Sequence, residues 1–269
     1  KWKGITHIWH VHEMIVHPPS VKRLFPMLLR LLADKVACNS NATLRLLLSS
    51  EPSLSGKSVV IWNGIERKGP IRAQPALRRR LGLGSDKVLV VLAGRINRWK
   101  GQGLLVEAAE ILRSRGVSNA HFLIIGSHPP GQEHFLESLK RKIATSSAKD
   151  DITVMDFTDD IWDVWDSCDI AAVPSTEPEP FGMVALEAMI SGKPVVAASH
   201  GGLTDIVADS FTGFLFEPSN AAALANCVEI LVKDGEKRRS FGQNGRTRAL
   251  ESFSLGQYVS SFSDLYRNA

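Results

Sequence analysis

Two glutamates, Glu179 and Glu187, are the side chains of this sequence best placed for chemistry, with seven residues between them in the stretch STEPEPFGMVALEAMIS at 175–191. Pro180, Phe181 and Gly182 follow the first carboxylate, and the apolar run Met183, Val184, Ala185 and Leu186 leads to the second. Apolar residues at 170–173 read as a short buried strand that ends at Pro174. The unit this spells is a strand, a loop carrying Glu179, and a helix that opens near Gly182 and carries Glu187. The N-terminus of a helix exposes unpaired amides and a partial positive charge, so it suits a phosphate. One carboxylate is then set to accept hydrogen bonds from one end of an elongated polyhydroxylated ligand. The other holds a second part, and the amides between them take a charged centre.

A second polar group stands in LAGRINRWKGQG at 92–103. Gly94 lets the backbone turn and approach a ligand closely. Arg95 offers a planar fork of donors and Lys100 a point charge. Together they either neutralise a diphosphate leaving group as its charge develops or form a solvated basic loop. Upstream, His10, Val11, His12 and Glu13 end the first strand-like stretch. Two histidines at that spacing suit a ligand contact, a metal pair, or packing.

The elements that must position these groups follow from the apolar periodicity. Strands are expected at 5–12, 35–39, 59–62, 88–93, 121–125, 152–155, 170–173, 195–198 and 213–216. Helices are expected at 21–33, 41–50, 76–81, 104–115, 132–145, 161–167, 203–208, 221–234 and 255–267. Short apolar strands alternating with amphipathic helices argue an α/β architecture, a parallel sheet covered on both faces. Ligands of such sheets bind outside the carboxyl ends of the strands. The polar groups fall there. The polar connection at 69–75 reads as a linker.

The E-x7-E element, in the form EPFGMVALEAM, resembles the signature of the retaining glycosyltransferases of family 4, which have the GT-B fold and use a nucleotide-sugar donor. The 92–103 segment resembles that family's diphosphate-binding loop. FLIIG at 122–126 resembles the next strand, whose terminal glycine, here Gly126, admits the nucleotide. VMDFTDD at 154–160 occupies the place where main chain, here at Asp156 and Phe157, pairs with the nucleobase edge; uracil and guanine both stay open. Gly201, Gly202 and Asp205 resemble a Gly-Gly turn, read as structural, and Asn63-Gly64-Ile65 a turn at the domain junction. The sequence departs from the family pattern at SHPPGQ (127–132), at Thr158 where glycine is usual, and at Asp205 and Glu66.

That resemblance implies roles. Arg95 and Lys100, with the amides of Phe181, Gly182, Met183 and Val184, stabilise the departing diphosphate. Glu187 accepts the ribose hydroxyls. Glu179 accepts donor-sugar hydroxyls and orients the ring without acting as a nucleophile. His12 faces the donor sugar and the reacting centre, with His10 structural. The implied reaction is retaining transfer from a UDP- or GDP-sugar to a hydroxyl of a glycan or lipid-linked acceptor. No cofactor is implied, and no metal, since the donor loop has no D-x-D. Residues 1–67 are implied to be the last part of an acceptor-side Rossmann-like domain, 68–250 a complete donor-binding domain, and 251–269 a terminal helix packing back on the first. The sequence opens on Lys1 and is expected to be a piece that lacks the family's N-terminal half-domain, on which activity would depend. Two other readings are a sugar-nucleotide epimerase on the same fold and a non-catalytic nucleotide-sugar-binding subunit.

Composition bounds the rest. A chain of 269 residues, 44% hydrophobic and 22% charged, suits a globular protein with a real core. No apolar run is long enough to span a bilayer. The net charge of +4 suits an anionic partner such as a nucleotide. Zinc-finger spacing, aromatic RNP-like motifs and long basic tails are absent, which argues against nucleic acid. Cys38, Cys168 and Cys227 have neither disulfide nor metal spacing and read as reduced thiols of a cytoplasmic protein. The basic amphipathic helix at 21–35 either lies peripherally on an acidic membrane surface, on its cytoplasmic face, or belongs to the core.

Overall fold

The structure, a computed structural model, describes residues 4–73 and 75–268. Lys1, where the sequence opens, and Gln74 of the polar connection lie outside the described residues.

The first unit is a parallel three-stranded sheet in the order β1 (Ile8–Val11), β2 (Lys35–Cys38), β3 (Ser58–Val60). Helices α1 (Pro19–Leu32) and α2 (Asn41–Ser50) make the crossovers that parallel strands require. β1 is shorter than the 5–12 run its alternation suggests. The His7 amide donates to Asp34 Oδ2 at 2.9 Å, and the His12 carbonyl accepts from Asn39 Nδ2 at 3.2 Å. Side chains thus take backbone groups at both ends that a longer ladder would have used.

The second unit is a six-stranded parallel sheet. Its strands are β4 (Val88–Ala93), β5 (Ala120–Ile125), β6 (Ile152–Met155), β7 (Ile170–Val173), β8 (Val195–Ala198) and β9 (Gly213–Phe216), in the order β6-β5-β4-β7-β8-β9. β4, β5, β7 and β8 are buried at every position, which is why they read as unbroken apolar runs. One face packs under α4 (Gln102–Ser114), α5 (Glu133–Thr145) and α9 (Ala221–Lys233), through Val90, Ile124, Leu105 and Val228. The other packs under α6 (Ile161–Ser167), α7 (Met183–Ile190) and α8 (Leu203–Ile206), through Leu89, Val91, Trp165 and Leu186. The chain runs outward from β4 in one direction and returns to β7 beside it, so the loops after β4 and β7 diverge. A crevice opens at that point, at the carboxyl ends of the strands.

The short helix α3 (Ala76–Arg80) follows the polar connection, and α10 (Gly235–Ser252) and α11 (Leu255–Arg267) close the chain. The apolar pattern of the sequence does not predict α10. It packs through small residues instead: a Cβ on Gly242 would lie 2.1 Å from the Gly192 carbonyl oxygen. α11 returns to the first unit, where Phe262 packs with Ala37 and Ile61.

The stripe on α1 belongs only in part to the core. Pro26 and Leu29 are buried and Phe25 packs on the first core, whereas Leu24, Met27, Leu28, Leu31 and Leu32 are exposed. No helix of the described residues is long and apolar enough to cross a membrane.

Candidate functional site

The crevice holds a cavity of about 710 Å³. Its walls come from the ends of β4 and β5, the loop after β6, and the start of α7, and include Gly94, Arg95, Lys100, Gly126, Phe157, Val184 and Glu187. The two strand-end loops meet backbone to backbone. Gly126 has φ 147°, and a Cβ there would lie 2.0 Å from the Gly94 carbonyl oxygen. A side chain at that point would close the floor of the cavity.

Arg95 is exposed on the wall, and among the described residues no hydrogen bond or ion pair to its guanidinium occurs. Lys100 is engaged. Its Nζ lies 2.6 Å from Glu179 Oε1, and Ser175 Oγ donates to the same oxygen at 2.6 Å. Glu179 is buried and does not itself line the cavity; it stands behind Lys100. Its loop is braced by the Gly-Gly turn, where the Gly202 amide donates to the Glu179 carbonyl at 2.7 Å. That gives the turn the structural part expected of it.

Glu187 does line the cavity. Burial raises its carboxyl above the ordinary range, and a hydrogen bond from Trp165 Nε1 to Oε2 at 3.1 Å pulls the other way. Gly182 precedes α7 in a left-handed conformation, φ 116°. The amides of Met183 and Val184 then open the helix without a backbone carbonyl partner among the described residues. Phe181 contributes its ring to the core, against Phe253 at 6.0 Å, and does not line the cavity; its main chain packs on Gly202, where a Cβ would lie 2.5 Å from the Phe181 Cα.

At the far end of the cavity, Asp156 is exposed and accepts from Ser127 Oγ and, at 2.8 Å, from the Phe157 amide. These bonds, the Ser127 hydroxyl first, hold its carboxyl below the usual range. They fix the loop so that the Phe157 ring stands 68% exposed on the rim. An exposed arginine beside open helix amides, a half-buried carboxylate and an open aromatic edge therefore share one crevice. Such a set is chemically suited to a ligand that is anionic at one end, carries hydroxyls and ends in a planar ring.

Residues 73–248 match the family described as glycosyl transferases group 1. The chain belongs to this family. It is 34% identical over 205 residues to the D-inositol 3-phosphate glycosyltransferase of Salinispora arenicola, covering 74% of this chain and 45% of that protein. It is 32% identical over 244 residues to the enzyme of that name from Corynebacterium efficiens, covering 88% of this chain and 57% of the other. The chain thus spans about half the length of the curated relatives it matches. Among solved structures it is similar to HepE from Anabaena in complex with UDP and glucose, with a TM-score of 0.89, 26% identity, and coverage of 98% of this chain and 72% of that one. The fold of this group 1 glycosyl transferase chain is GT-B, α/β with Rossmann-like parallel sheets.

Of the residues singled out in the sequence, Gly94, Arg95, Lys100, Gly126, Phe157, Val184 and Glu187 meet on the cavity wall, with Met183 and Gly182 at the mouth of α7. Asp156 and Glu179 stand one bond behind it. His12 does not line the cavity. Its Nε2 lies 2.9 Å from His10 Nδ1, and His10 is packed against Phe262 at 4.7 Å. Burial, and then the neighbouring His12, depress His10 to about 4. The tie from His12 to the Glu179 loop runs through its carbonyl to Asn39, then Thr43 Oγ1, which also lies 3.4 Å from the Pro180 carbonyl oxygen.

Two residues escaped sequence reasoning, Ser175 and Trp165, which hold the two glutamates. Asp205, read with the Gly-Gly turn as structural, joins the two units, a partnership the sequence did not show. Asp205 Oδ2 accepts from the Asn41 amide at 2.6 Å, Asn41 Nδ2 at 3.2 Å and Trp62 Nε1 at 3.2 Å. Ser175 lies inside the motif itself and could have been suspected there. Nothing in the spacing of Trp165 or Asp205 marks their partners, which are 22 and 143 to 164 positions away.

Proposed function

We propose that this chain carries the donor site of a glycosyltransferase that moves a sugar from a UDP-sugar to a hydroxyl acceptor with retention of configuration. The observation that carries this reading is the meeting of Arg95, Lys100, Glu187 and the open amides of α7 in one cavity at the strand ends. Membership of the group 1 family supports transfer from a nucleotide sugar, and the likeness to HepE with UDP and glucose favours uracil over guanine.

In this mechanism the bond between the sugar C1 and the diphosphate oxygen breaks, and its electron pair leaves with the diphosphate. Arg95, Lys100 and the amides of 181–184 stabilise that charge as it develops. Glu187 holds the ribose hydroxyls, and Glu179 the donor-sugar hydroxyls. The main chain at Gly126, Asp156 and Phe157 meets the base. The acceptor oxygen bonds to C1 on the face the leaving group vacates, and its proton passes to a phosphate oxygen. Neither a metal nor a cofactor takes part. His12, which lies off the cavity wall with its Nε2 2.9 Å from His10, reaches the donor sugar from the acceptor side only by leaving that contact. Residues 68–250 form the donor-binding domain, with 1–67 and the terminal helix, 251–269, on the acceptor side. The curated relatives are named for an inositol phosphate, which extends the acceptors worth trying from glycans and lipid-linked sugars to phosphorylated polyols.

Saturation-transfer NMR with UDP-glucose and GDP-mannose tests the donor site. Transfer to the UDP-sugar that disappears in Glu187→Ala supports it. Transfer to neither sugar, or transfer that survives in the variant, refutes it. Retention is read from the anomeric proton coupling of the product, and an inverted product refutes that part.

We also propose that the exposed apolar face of α1, with Arg23 and Arg30 beside it and no acidic residue on the helix, rests on an anionic lipid surface on the cytoplasmic side. Co-sedimentation with phosphatidylglycerol vesicles, lost in Leu28→Glu, is the expected result; no co-sedimentation refutes it.

A further inference from the structure

We infer that Trp165 is a positioning residue, locking the Glu187 carboxylate in the orientation that accepts a ribose diol. The inference rests on the donor-site reading above. Trp165 Nε1–H donates to Glu187 Oε2 at 3.1 Å, and the indole is fully buried, so water does not substitute for it.

The chemistry of that donor matters. An indole N–H donates only and carries no charge. Among the described residues no lysine or arginine pairs with Glu187. One carboxylate oxygen is therefore fixed without a cation to neutralise it. A cation in the same place would neutralise the carboxylate and compete with the ligand's hydroxyls. A ribose presents two adjacent hydroxyl donors, and a carboxylate held in place accepts them without losing rotamer freedom on binding.

Trp165 is itself held. Asp166, next to it on α6, accepts from Arg67 at 2.7 Å and from the Arg72 amide at 3.0 Å. Asp163 accepts from the Ala76 amide at 2.8 Å. The Arg67 guanidinium also lies 4.8 Å from the centre of the Trp162 ring. The connection between the two units thus pins α6, and α6 presents the indole to Glu187. A tryptophan merely filling the core would need one partner for its N–H but no such brace on the turn that carries it.

Calorimetric titration of the intact chain with UDP and 2′-deoxy-UDP tests the assignment. The proteins compared are the unmodified chain, Trp165→Phe, and a chain with benzothienylalanine at 165, which keeps the shape of the indole and lacks the N–H. Loss of the N–H is expected to weaken UDP roughly tenfold, the scale of a hydrogen bond to a charged group. The preference for UDP over 2′-deoxy-UDP is expected to narrow. The N–H favours the ionised carboxylate, so its loss moves the acid limb of UDP binding to higher pH. The other titratable side chains on the cavity wall, Arg95, Lys100, His128 and Asp159, are common to all three proteins. In a Glu187→Ala background the replacement at 165 is expected to change nothing further. Equal UDP affinity and pH profile in the unmodified and benzothienylalanine chains overturns the assignment alone. No UDP binding by the unmodified chain overturns the donor-site reading, and this inference with it.

Discussion

Lys100 Nζ sits 2.6 Å from Glu179 Oε1, with the two side chains 17% and 7% exposed. The cation assigned to a diphosphate is thus already neutralised by the carboxylate assigned to a sugar. Arg95, without a side-chain partner among the described residues, is left to meet the phosphates first. Lys100 reaches them only by sharing or leaving Glu179, which couples the two halves of the donor.

Removing Lys100 strands a buried carboxylate. Lys100→Ala is expected to lower stability by about 3 kcal/mol, the scale for breaking a buried pair from one side. The double variant Lys100→Met/Glu179→Gln is expected to regain most of that while still failing to bind UDP normally. Urea unfolding alongside calorimetry separates the two effects. A fully stable Lys100→Ala chain would show that the pair does not hold the loop.

Arg95 is the opposite case, exposed and unpaired among the described residues. Arg95→Ala is expected to leave stability within about 0.5 kcal/mol, as for an ordinary surface change. UDP binding is expected to weaken about tenfold, as for a charge-assisted contact, with uridine binding unchanged. Titration with UDP, UMP and uridine reads this, and an equal loss for uridine would place Arg95 at the base instead.

The motif-bearing loops were legible in the sequence because their chemistry is local. The strand before Glu179, the glycine before α7 and the glutamate inside it follow from residues within one short stretch. The buried strands were legible because both their faces are covered, which leaves an unbroken apolar run. The order of those strands was not, since it depends on which apolar surfaces meet in space. α10 was hidden for a different reason. Its contact face carries one large apolar residue, Phe241, beside Gly242, Gly245 and Ala249, so close backbone approach does much of the packing and the hydrophobic stripe that marks a helix is missing. Lys100 and Glu179 were each visible, but their pairing across 79 positions was not.

Burial raises the Glu187 carboxyl, so its folded pKa lies above its unfolded one. Between the two values the native state binds more protons, and stability rises as pH falls through that window. Above it, the buried charge is a cost. Glu187→Gln is therefore expected to be more stable than the unmodified chain at about pH 8 and indistinguishable from it once the glutamate is protonated, about pH 4 or below. The same variant binds UDP poorly. Thermal melts at the two pH values check the sign, and a variant less stable at the higher pH would contradict it.

Asp205 joins the units through three donors on one oxygen. Asp205→Ala is expected to cost about 1 kcal/mol by leaving half-buried donors without their acceptor. Amide exchange is expected to quicken at Asn41, with UDP affinity unchanged because Asp205 is not on the cavity wall. Exchange that speeds up at the cavity instead would place the clamp in the donor site.

Gly201 has φ 61°, and a Cβ there would lie 2.3 Å from the Glu179 carbonyl oxygen. Gly201→Ala is expected to destabilise by more than about 1 kcal/mol, because neither the conformation nor the space admits a side chain. It also pushes on the loop that carries Glu179. Affinity for a UDP-sugar is therefore expected to fall more than affinity for UDP, and an equal fall in both would remove Glu179 from the sugar subsite.

The most direct test of the donor site is calorimetric titration of the chain with UDP and GDP, repeated on the Arg95→Ala/Glu187→Ala double variant. The account predicts one UDP site per chain, preferred over GDP and nearly abolished in the double variant. UDP binding of equal strength in the unmodified and doubly substituted chains, or none in the unmodified chain, would contradict it.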